Sequence, residues 1–195
     1  MEIRRVFGQI NKCSFKCPPI RAFVDYYMQK SKISIDPFAR SYQGCTYTND
    51  LNPNTKAQYH MDALAFLELI RDKGICADLV VFDPPYSMAQ VKRTYEGVGL
   101  KFRYEDSLNA IGWYKEKDII SEILKPTGVF LHFGYHSNGM GKKRGFVIEE
   151  ILIVAHGRCV SDTICMAERR TAMQGSLFTN NVPPDTDTES RAALG

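Results

Sequence analysis

The chain has 195 residues, of which 44% are hydrophobic and 24% are charged, and its formal net charge is +3. These values predict one globular domain of ordinary size. A net charge this small gives no argument for nucleic-acid binding, so that argument must come from local clusters. The six cysteines form no CxxC pair, which is typical of a reduced, cytoplasmic protein. No apolar run is long enough for a membrane span or a signal peptide, and we expect neither.

Short apolar runs alternate with helical patterns along the chain. Helices are predicted at Asp62–Lys73, ended by Gly74, and at Leu108–Leu124, ended by Pro126-Thr127-Gly128. Strands are predicted at Ile33–Asp36, Thr46–Asp50, Leu79–Phe82, Val129–Phe133, Ile148–Ala155 and Asp162–Ala167.

This alternation predicts a three-layer α/β domain with a mainly parallel sheet and an antiparallel strand at one edge. The last two strands are expected to pair as an antiparallel hairpin. We expect the domain to span residues 1–178 and residues 179–195 to be a disordered tail, because that segment is polar and rich in Pro, Asp and Thr. Ligands of such a domain bind at the carboxyl ends of the strands.

The clearest candidate site is Asp83-Pro84-Pro85-Tyr86, which follows the apolar run Leu79–Phe82. Two prolines stiffen the loop and leave its carbonyls unpaired. Asp83 and a proline carbonyl could both accept hydrogen bonds from the amine of a nucleic-acid base, whose lone pair must be freed before it can attack a methyl group. Tyr86 could stack on a base that has left the helix. The alternative is a rigid turn without chemistry.

This tetrapeptide resembles the Asp-Pro-Pro-Tyr motif of amino-group DNA methyltransferases, chiefly the adenine-specific ones. Other segments resemble the same family in a consistent order, from about Phe15 to Arg169. They are Phe15-Lys16-Cys17-Pro18-Pro19-Ile20, Ser34-Ile35-Asp36-Pro37-Phe38-Ala39, Asn49-Asp50 and His60-Met61-Asp62-Ala63. The resemblance implies a Rossmann-like class I methyltransferase fold and S-adenosylmethionine as the cofactor.

The resemblance also implies roles for individual residues. Asp50 would bind the ribose hydroxyls of the cofactor, and Asp62 would accept a hydrogen bond from its adenine amine. Asp62 also suits the N-cap of the helix that follows it. The full set of cofactor residues would be Phe15, Pro19, Asp36, Pro37, Phe38, Asp50, Asp62 and Ala63, and the catalytic residues would be Asp83, Pro84, Pro85 and Tyr86.

The chain departs from the family in the cofactor loop. The family motif often reads Asp-Pro-Phe-Ala-Gly, and its glycines let the backbone approach the methionine part of the cofactor. Here Arg40-Ser41-Tyr42-Gln43 follows Ala39, and the first glycine is Gly44. This departure leaves open a binding protein on a methyltransferase fold that has no activity.

Two loops combine basic residues with features of a nucleic-acid surface. The first holds Lys92, Arg93, Lys101 and Arg103, interleaved with Tyr95, Phe102 and Tyr104. The second holds Lys142, Lys143 and Arg144 between glycines. Basic side chains with aromatics suit contacts to phosphates and stacking on bases. Solvated charged loops are the alternative for both.

Other chemistries fit less well. Methylation of the cytosine ring needs a cysteine nucleophile in a Pro-Cys loop, and Cys17-Pro18 has the reverse order. The four histidines form no HExxH pattern and have no CxxC partner, so we expect no metal site.

We therefore expect methyl transfer to an adenine amine in DNA. An RNA base amine is the first alternative, and a protein glutamine side chain is a weaker one, since that group normally carries Asn in place of Asp83. The chain has little room for a separate target-recognition module. We expect a short or relaxed sequence preference, or specificity supplied by a partner or a homodimer. The compact form would suit a phage enzyme by analogy alone.

Overall fold

The computed structural model describes residues 1–9, 11, 13–103, 112–157 and 160–171. The predicted tail at 179–195 lies outside these residues, as do Tyr104 and the first part of the helix predicted from Leu108. No helix among the described residues is long and apolar enough to cross a membrane.

Seven strands of the described chain form one sheet in the order β1-β6-β7-β5-β4-β2-β3. Strand β7 is antiparallel to β5 and β6, and all other neighbours are parallel. The strands are β1 (Glu2–Phe7), β2 (Ser34–Asp36), β3 (Tyr47–Thr48), β4 (Ala77–Phe82), β5 (Leu124–Gly134), β6 (Phe146–Ala155) and β7 (Thr163–Arg170).

The predicted α/β class and the antiparallel pairing of the last two strands are confirmed, but the antiparallel strand is not at the edge. Strand β7 inserts between β5 and β6, and β1 covers the far side of β6. The sequence analysis did not predict β1, because half of the residues of Glu2–Phe7 are charged, and its apolar residues form no long run.

The described chain contains four helices, and the first, second and fourth of them pack against the sheet. They are α1 (Pro18–Met28), α2 (Ala63–Asp72), α3 (Met88–Gly97) and α4 (Tyr114–Ile123). Two of them were not predicted. Helix α1 begins with two prolines, which suit the first turn of a helix, and α3 buries only Val91, so its apolar pattern is weak.

Alternating side chains of β4 divide the core into two layers. Leu79 and Val81 point to one face and pack with α1, whereas Val80 and Phe82 point to the other face and pack with α2 and α4. Helix α4 ends at Ile123, and β5 begins at the next residue. The Pro126-Thr127-Gly128 segment, which was expected to end the helix, instead lies within β5 near an irregularity in its pairing with β4.

The parallel strands bring their carboxyl ends to one edge of the sheet. Strand β2 ends at Asp36, β3 is followed within two residues by Asp50, and β4 is followed directly by Asp83. Tyr135 follows β5 at the same edge. The fold thus places three carboxylates and an aromatic ring on neighbouring strand ends.

Replacement of Phe66 by Ala should lower the free energy of unfolding by about 3–5 kcal/mol, because it removes a fully buried ring between α2 and the sheet. Urea unfolding followed by circular dichroism measures this loss. Leu100→Ala is the control, since that side chain is 47% exposed and its loss should cost no more than about 0.5 kcal/mol. Equal effects of the two substitutions would contradict this assignment of the core.

Candidate active site

A cleft of about 690 Å³ opens at the carboxyl edge of the sheet. Most of the predicted catalytic and cofactor residues line it, together with Arg93. They are Pro37, Phe38, Asp50, Asp62, Ala63, Asp83, Pro84, Pro85 and Tyr86. A smaller pocket of about 140 Å³ contains Phe15 and shares Ser14, Phe38, Arg40 and Asp83 with the cleft. Pro19 and Asp36 line neither space.

The Asp83–Tyr86 loop is held at both ends. Strand β4 leads directly into it, and Ser87 caps α3 behind it by accepting a hydrogen bond from the Gln90 amide at 3.3 Å. The Gln90 side chain in turn accepts from the Tyr86 amide at 2.6 Å. The loop is therefore fixed between a buried strand and a capped helix.

The side chains of this loop are joined in a short chain of hydrogen bonds. The Tyr86 hydroxyl donates to Oδ1 of Asp83, and the Ser14 hydroxyl lies 3.3 Å from the Tyr86 hydroxyl. Burial raises the pKa of Asp83, and the hydrogen bonds from Tyr86 and Ser14 and the positive charge of Arg40 oppose that rise. Burial and the Asp83 charge hold the pKa of Tyr86 well above its usual range. Tyr86 is therefore a neutral donor to the carboxylate.

Tyr135 provides a second aromatic ring beside the loop. Its ring centroid lies 5.0 Å from that of Tyr86 in an edge-to-face arrangement, and the residue is 46% exposed. Both residues line the cleft. The sequence analysis missed Tyr135, although its place two residues after the predicted strand Val129–Phe133 was a usable signal.

Asp36 is a buried carboxylate with an incomplete set of partners. It is 0% exposed, and its Oδ1 accepts a hydrogen bond from the Phe38 amide at 2.9 Å. Its Oδ2 has no hydrogen-bond partner among the described residues. Burial, with added repulsion from Asp83 and Asp50, holds the pKa of Asp36 well above its usual range. A positive charge nearby would satisfy this carboxylate.

The other two cofactor acids are engaged with the backbone. Asp50 accepts hydrogen bonds from the amides of Arg40 at 3.0 Å and Asn52 at 2.8 Å. The N-cap role predicted for Asp62 is confirmed, because its Oδ1 accepts from the Leu64 amide at 2.9 Å. Its Oδ2 accepts from the Tyr95 hydroxyl at 3.2 Å, which connects α3 to this end of the cleft.

Asn49 links the two cofactor loops. Its side-chain amide donates to the carbonyls of Pro37 at 3.1 Å and Met61 at 3.0 Å, and its carbonyl oxygen accepts from the Met61 amide at 3.1 Å. Asn49 is fully buried, so these bonds are not exchanged with water. Its role could not be read from the sequence, because its partners are brought together by the β2–β3 pairing and by a bridge between Asn49 and Tyr59.

At the position where the family motif often has glycine, the cofactor loop has a backbone conformation typical of glycine. Arg40 has a φ angle of 51°, in the left-handed region that glycine adopts readily and other residues avoid. Arg40 thus adopts a conformation typical of the missing glycine and adds a charged side chain beside the cleft.

The structure separates the two basic loops. Arg93 lines the cleft, Lys92 is exposed on α3, and Lys101 and Arg103 are exposed beyond the end of that helix. Lys142, Lys143 and Arg144 form a 3-10 turn that leads into the start of β6. That start pairs with the end of β7 at the edge of the sheet opposite the cleft. Arg144 is also paired with Asp118 at 2.7 Å. The loop after β5 must return to this edge because β6 runs parallel to β5.

No cluster of three or more potential metal ligands is formed by the residues that the structure describes. No protein-family model and no curated protein matches the sequence. The comparison with known proteins therefore depends on solved structures.

Three solved structures share the fold at low sequence identity. SMU.776, assigned as a methyltransferase and solved in complex with SAH, matches with a TM-score of 0.51 at 12% identity, over 76% of this chain and 48% of its own. A SAM-dependent methyltransferase from Agrobacterium tumefaciens matches with a TM-score of 0.51 at 13% identity, over 79% and 63%. TrmN from Thermus thermophilus matches with a TM-score of 0.51 at 12% identity, over 79% and 49%.

The strand order and these similarities define a Rossmann-like class I methyltransferase fold, as the sequence predicted. The chain spans 48% to 63% of the lengths of the three structures. At this identity the similarity establishes the fold, and the activity has to be argued from the cleft itself.

Replacement of Asp36 by Asn should raise the free energy of unfolding at neutral pH by about 1 kcal/mol or more, since one pKa unit corresponds to about 1.4 kcal/mol. An unfolded aspartate ionises near pH 4, while burial raises the pKa of Asp36 in the folded protein. The folded wild type therefore binds this proton more tightly, and its stability falls as the pH rises above about 4. The difference between the variant and the wild type should vanish at acid pH and grow toward neutrality.

Urea unfolding of both proteins across this pH range measures the effect. Asp72→Asn is the matched control, because the Asp72 side chain is 67% exposed. A difference for Asp36→Asn that is constant with pH would contradict the assigned burial of charge.

Proposed function

We propose that this chain binds S-adenosylmethionine in the cleft and transfers its methyl group to the exocyclic amine of a nucleic-acid base, with adenine in DNA as the favoured substrate. The observation that carries the proposal is the position of Asp83-Pro84-Pro85-Tyr86. This loop ends the central strand β4 and lines the same cleft as Asp50 and Asp62.

The charge of the site suits this cofactor. Asp36, Asp50 and Asp83 stand at the ends of three adjacent strands, and the pKa values of Asp36 and Asp83 are raised. Burial is the main cause of both raised pKa values, and repulsion from Asp83 and Asp50 adds to that of Asp36. A ligand with positive charge would stabilise the ionised forms of these groups. S-adenosylmethionine carries a sulfonium and an ammonium group, and when bound it supplies an electrophilic methyl group.

Residues of the cleft would hold the two ends of the cofactor. Following the family resemblance, Asp50 would bind the ribose hydroxyls, and Asp62 with Ala63 would bind the adenine ring. Pro37 and Phe38 form part of the wall between them. Asp36 lies under this loop, where its unpartnered oxygen would balance a positive charge.

The catalytic loop would bind the base. The Asp83 carboxylate and a proline carbonyl accept hydrogen bonds from the amine and so localise its lone pair for attack. Tyr86 and Tyr135 offer aromatic faces at the same place. The contribution of the protein is then alignment of the reacting groups and charge-matched hydrogen bonds.

RNA is a second candidate substrate, and one observation favours it. The cluster at 142–144 lies at the edge of the sheet away from the cleft, so it adds no basic surface beside the catalytic loop. A smaller basic surface suits a base that is already unpaired, as in RNA loops or single strands. The same observation fits a short or relaxed sequence preference. It also fits a homodimer or other partner that supplies specificity.

Asp83→Ala should lower methyl transfer by about 10²–10³-fold while SAH still binds, because the substitution removes a charged acceptor at the reacting amine. Transfer of labelled methyl from S-adenosylmethionine to nucleic acid measures the rate, and calorimetry measures SAH binding. Asp72→Ala, on the exposed end of α2, is the control and should behave as the wild type. Full activity of Asp83→Ala would refute the mechanism.

Mass spectrometry of nucleosides from duplex DNA, single-stranded DNA and RNA, after incubation with the wild type and S-adenosylmethionine, identifies the substrate. We expect methylated adenine, with single strands methylated at least tenfold faster than duplex if the limited basic surface governs binding. SAH binding without methylation of any of the three polymers would favour a protein without this activity.

A further inference from the structure

Arg40 combines an unfavourable backbone conformation with a position at the junction of the two cavities. Its φ angle of 51° brings the Cβ of a non-glycine residue close to its own backbone. The Arg40 amide donates to Oδ2 of Asp50 at 3.0 Å, which fixes this orientation. Strained residues of this kind cluster at functional sites. Glycine would fit this conformation better, so the presence of arginine indicates that its side chain has a function.

The side chain of Arg40 lies where the cleft meets the smaller pocket. Both spaces are lined by Arg40, Ser14, Phe38 and Asp83. The smaller pocket also contains Lys16 and Arg21, and Arg21 is paired with Asp25 at 2.8 Å. The pocket therefore combines three basic side chains with the carboxyl group of Asp83, and the basic side chains suit an anionic ligand group.

The three substituents of the sulfonium ion indicate which part of the cofactor would enter the smaller pocket. The sulfur carries three substituents: the methyl group, the ribose and an aminobutyrate arm. If the methyl group faces Asp83 and the ribose lies at Asp50, the arm leaves the sulfur in a third direction, and a second space beside Asp83 is available to it. That space is the smaller pocket, which the cleft joins at Phe38 and Arg40.

The arm ends in an ammonium and a carboxylate, and the loop offers a complement to each. Asp36 lines neither cavity, but its buried oxygen without a partner among the described residues would favour the ammonium through its charge rather than through a direct contact. Arg40, four residues later, suits the carboxylate, because a guanidinium can bind both of its oxygens.

We propose that the Arg40 side chain binds the carboxylate of the cofactor and thereby replaces the close backbone approach that glycine would allow. This inference rests on the proposed function, since it assumes S-adenosylmethionine as the ligand. It assigns to this chain a side-chain contact at a position where the family it resembles often has no side chain.

A comparison of two ligands distinguishes the proposed Arg40 contact from the other contacts of the site. SAH carries the carboxylate, and 5′-methylthioadenosine has the same adenosine and sulfur without the amino-acid arm. Calorimetry with both ligands should show that Arg40→Gly and Arg40→Ala bind SAH about tenfold to a hundredfold more weakly than the wild type. Binding of 5′-methylthioadenosine should change by no more than about twofold. Arg40→Lys should recover part of the SAH affinity.

The variants also test for a merely structural role. Arg40→Gly relieves the backbone conformation and Arg40→Ala retains it, so an equal loss of SAH affinity in both identifies the charge as the cause. Arg71→Ala, an exposed arginine of α2 outside both cavities, is the control and should bind both ligands as the wild type does.

Two results would overturn the inference. One is an equal loss of affinity for both ligands, which would mean that Arg40 supports the site only through the loop. The other is unchanged SAH binding with weaker binding of nucleic acid, which would place the contact on the polymer. If the wild type binds neither ligand, the proposed function fails, and this inference fails with it.

Discussion

The parallel pairing of β2 with both β3 and β4 is the constraint on which the candidate site depends. Because the three strands run the same way, they end at one edge of the sheet, and Asp36, Asp50 and Asp83 become neighbours. Asn49 then holds the loops after β2 and β3 together through three side-chain hydrogen bonds. The alternating side chains of β4 pack into both core layers, so this strand and the loop that follows it are fixed from two sides. The positions of the chemical groups are thus a direct result of strand order.

The sequence predicted the features that have a local pattern. Buried strands are continuous apolar runs, and the helix after Asp62 has a cap and an apolar stripe, so these elements were found. Strand β1 has no such pattern because it is exposed, and α3 buries too little to show one. Strand order was not predictable in the same way, since a hairpin of β6 and β7 can be placed with either strand inside. For this reason the sequence did not show on which edge the basic turn at 142–144 would lie, and the structure places it at the edge opposite the cleft.

The site contains two unfavourable states on one loop. Asp36 is buried without a full set of partners, and Arg40 adopts a backbone conformation that suits glycine. Each state lowers the stability of the protein without a bound ligand, and a cationic ligand with a carboxylate would offset both. Two exceptions on one loop, an unpartnered buried carboxylate and a non-glycine residue in a glycine conformation, therefore indicate a binding site. Neither exception occurs in α2 or β4.

The hydrogen bond between Tyr86 and Asp83 has a further consequence for the proposed reaction. Without a base in the cleft, the carboxylate already has a donor, so it is not left bare in a poorly solvated place. A base that binds at Oδ1 of Asp83 has to displace the Tyr86 hydroxyl and donate a hydrogen bond in its place. An exocyclic amine can make this exchange at little net cost, but a ring that presents a carbonyl there would leave two acceptors facing each other. In the proposed reaction, Asp83 would thus discriminate among bases by the type of group that can replace the Tyr86 hydroxyl.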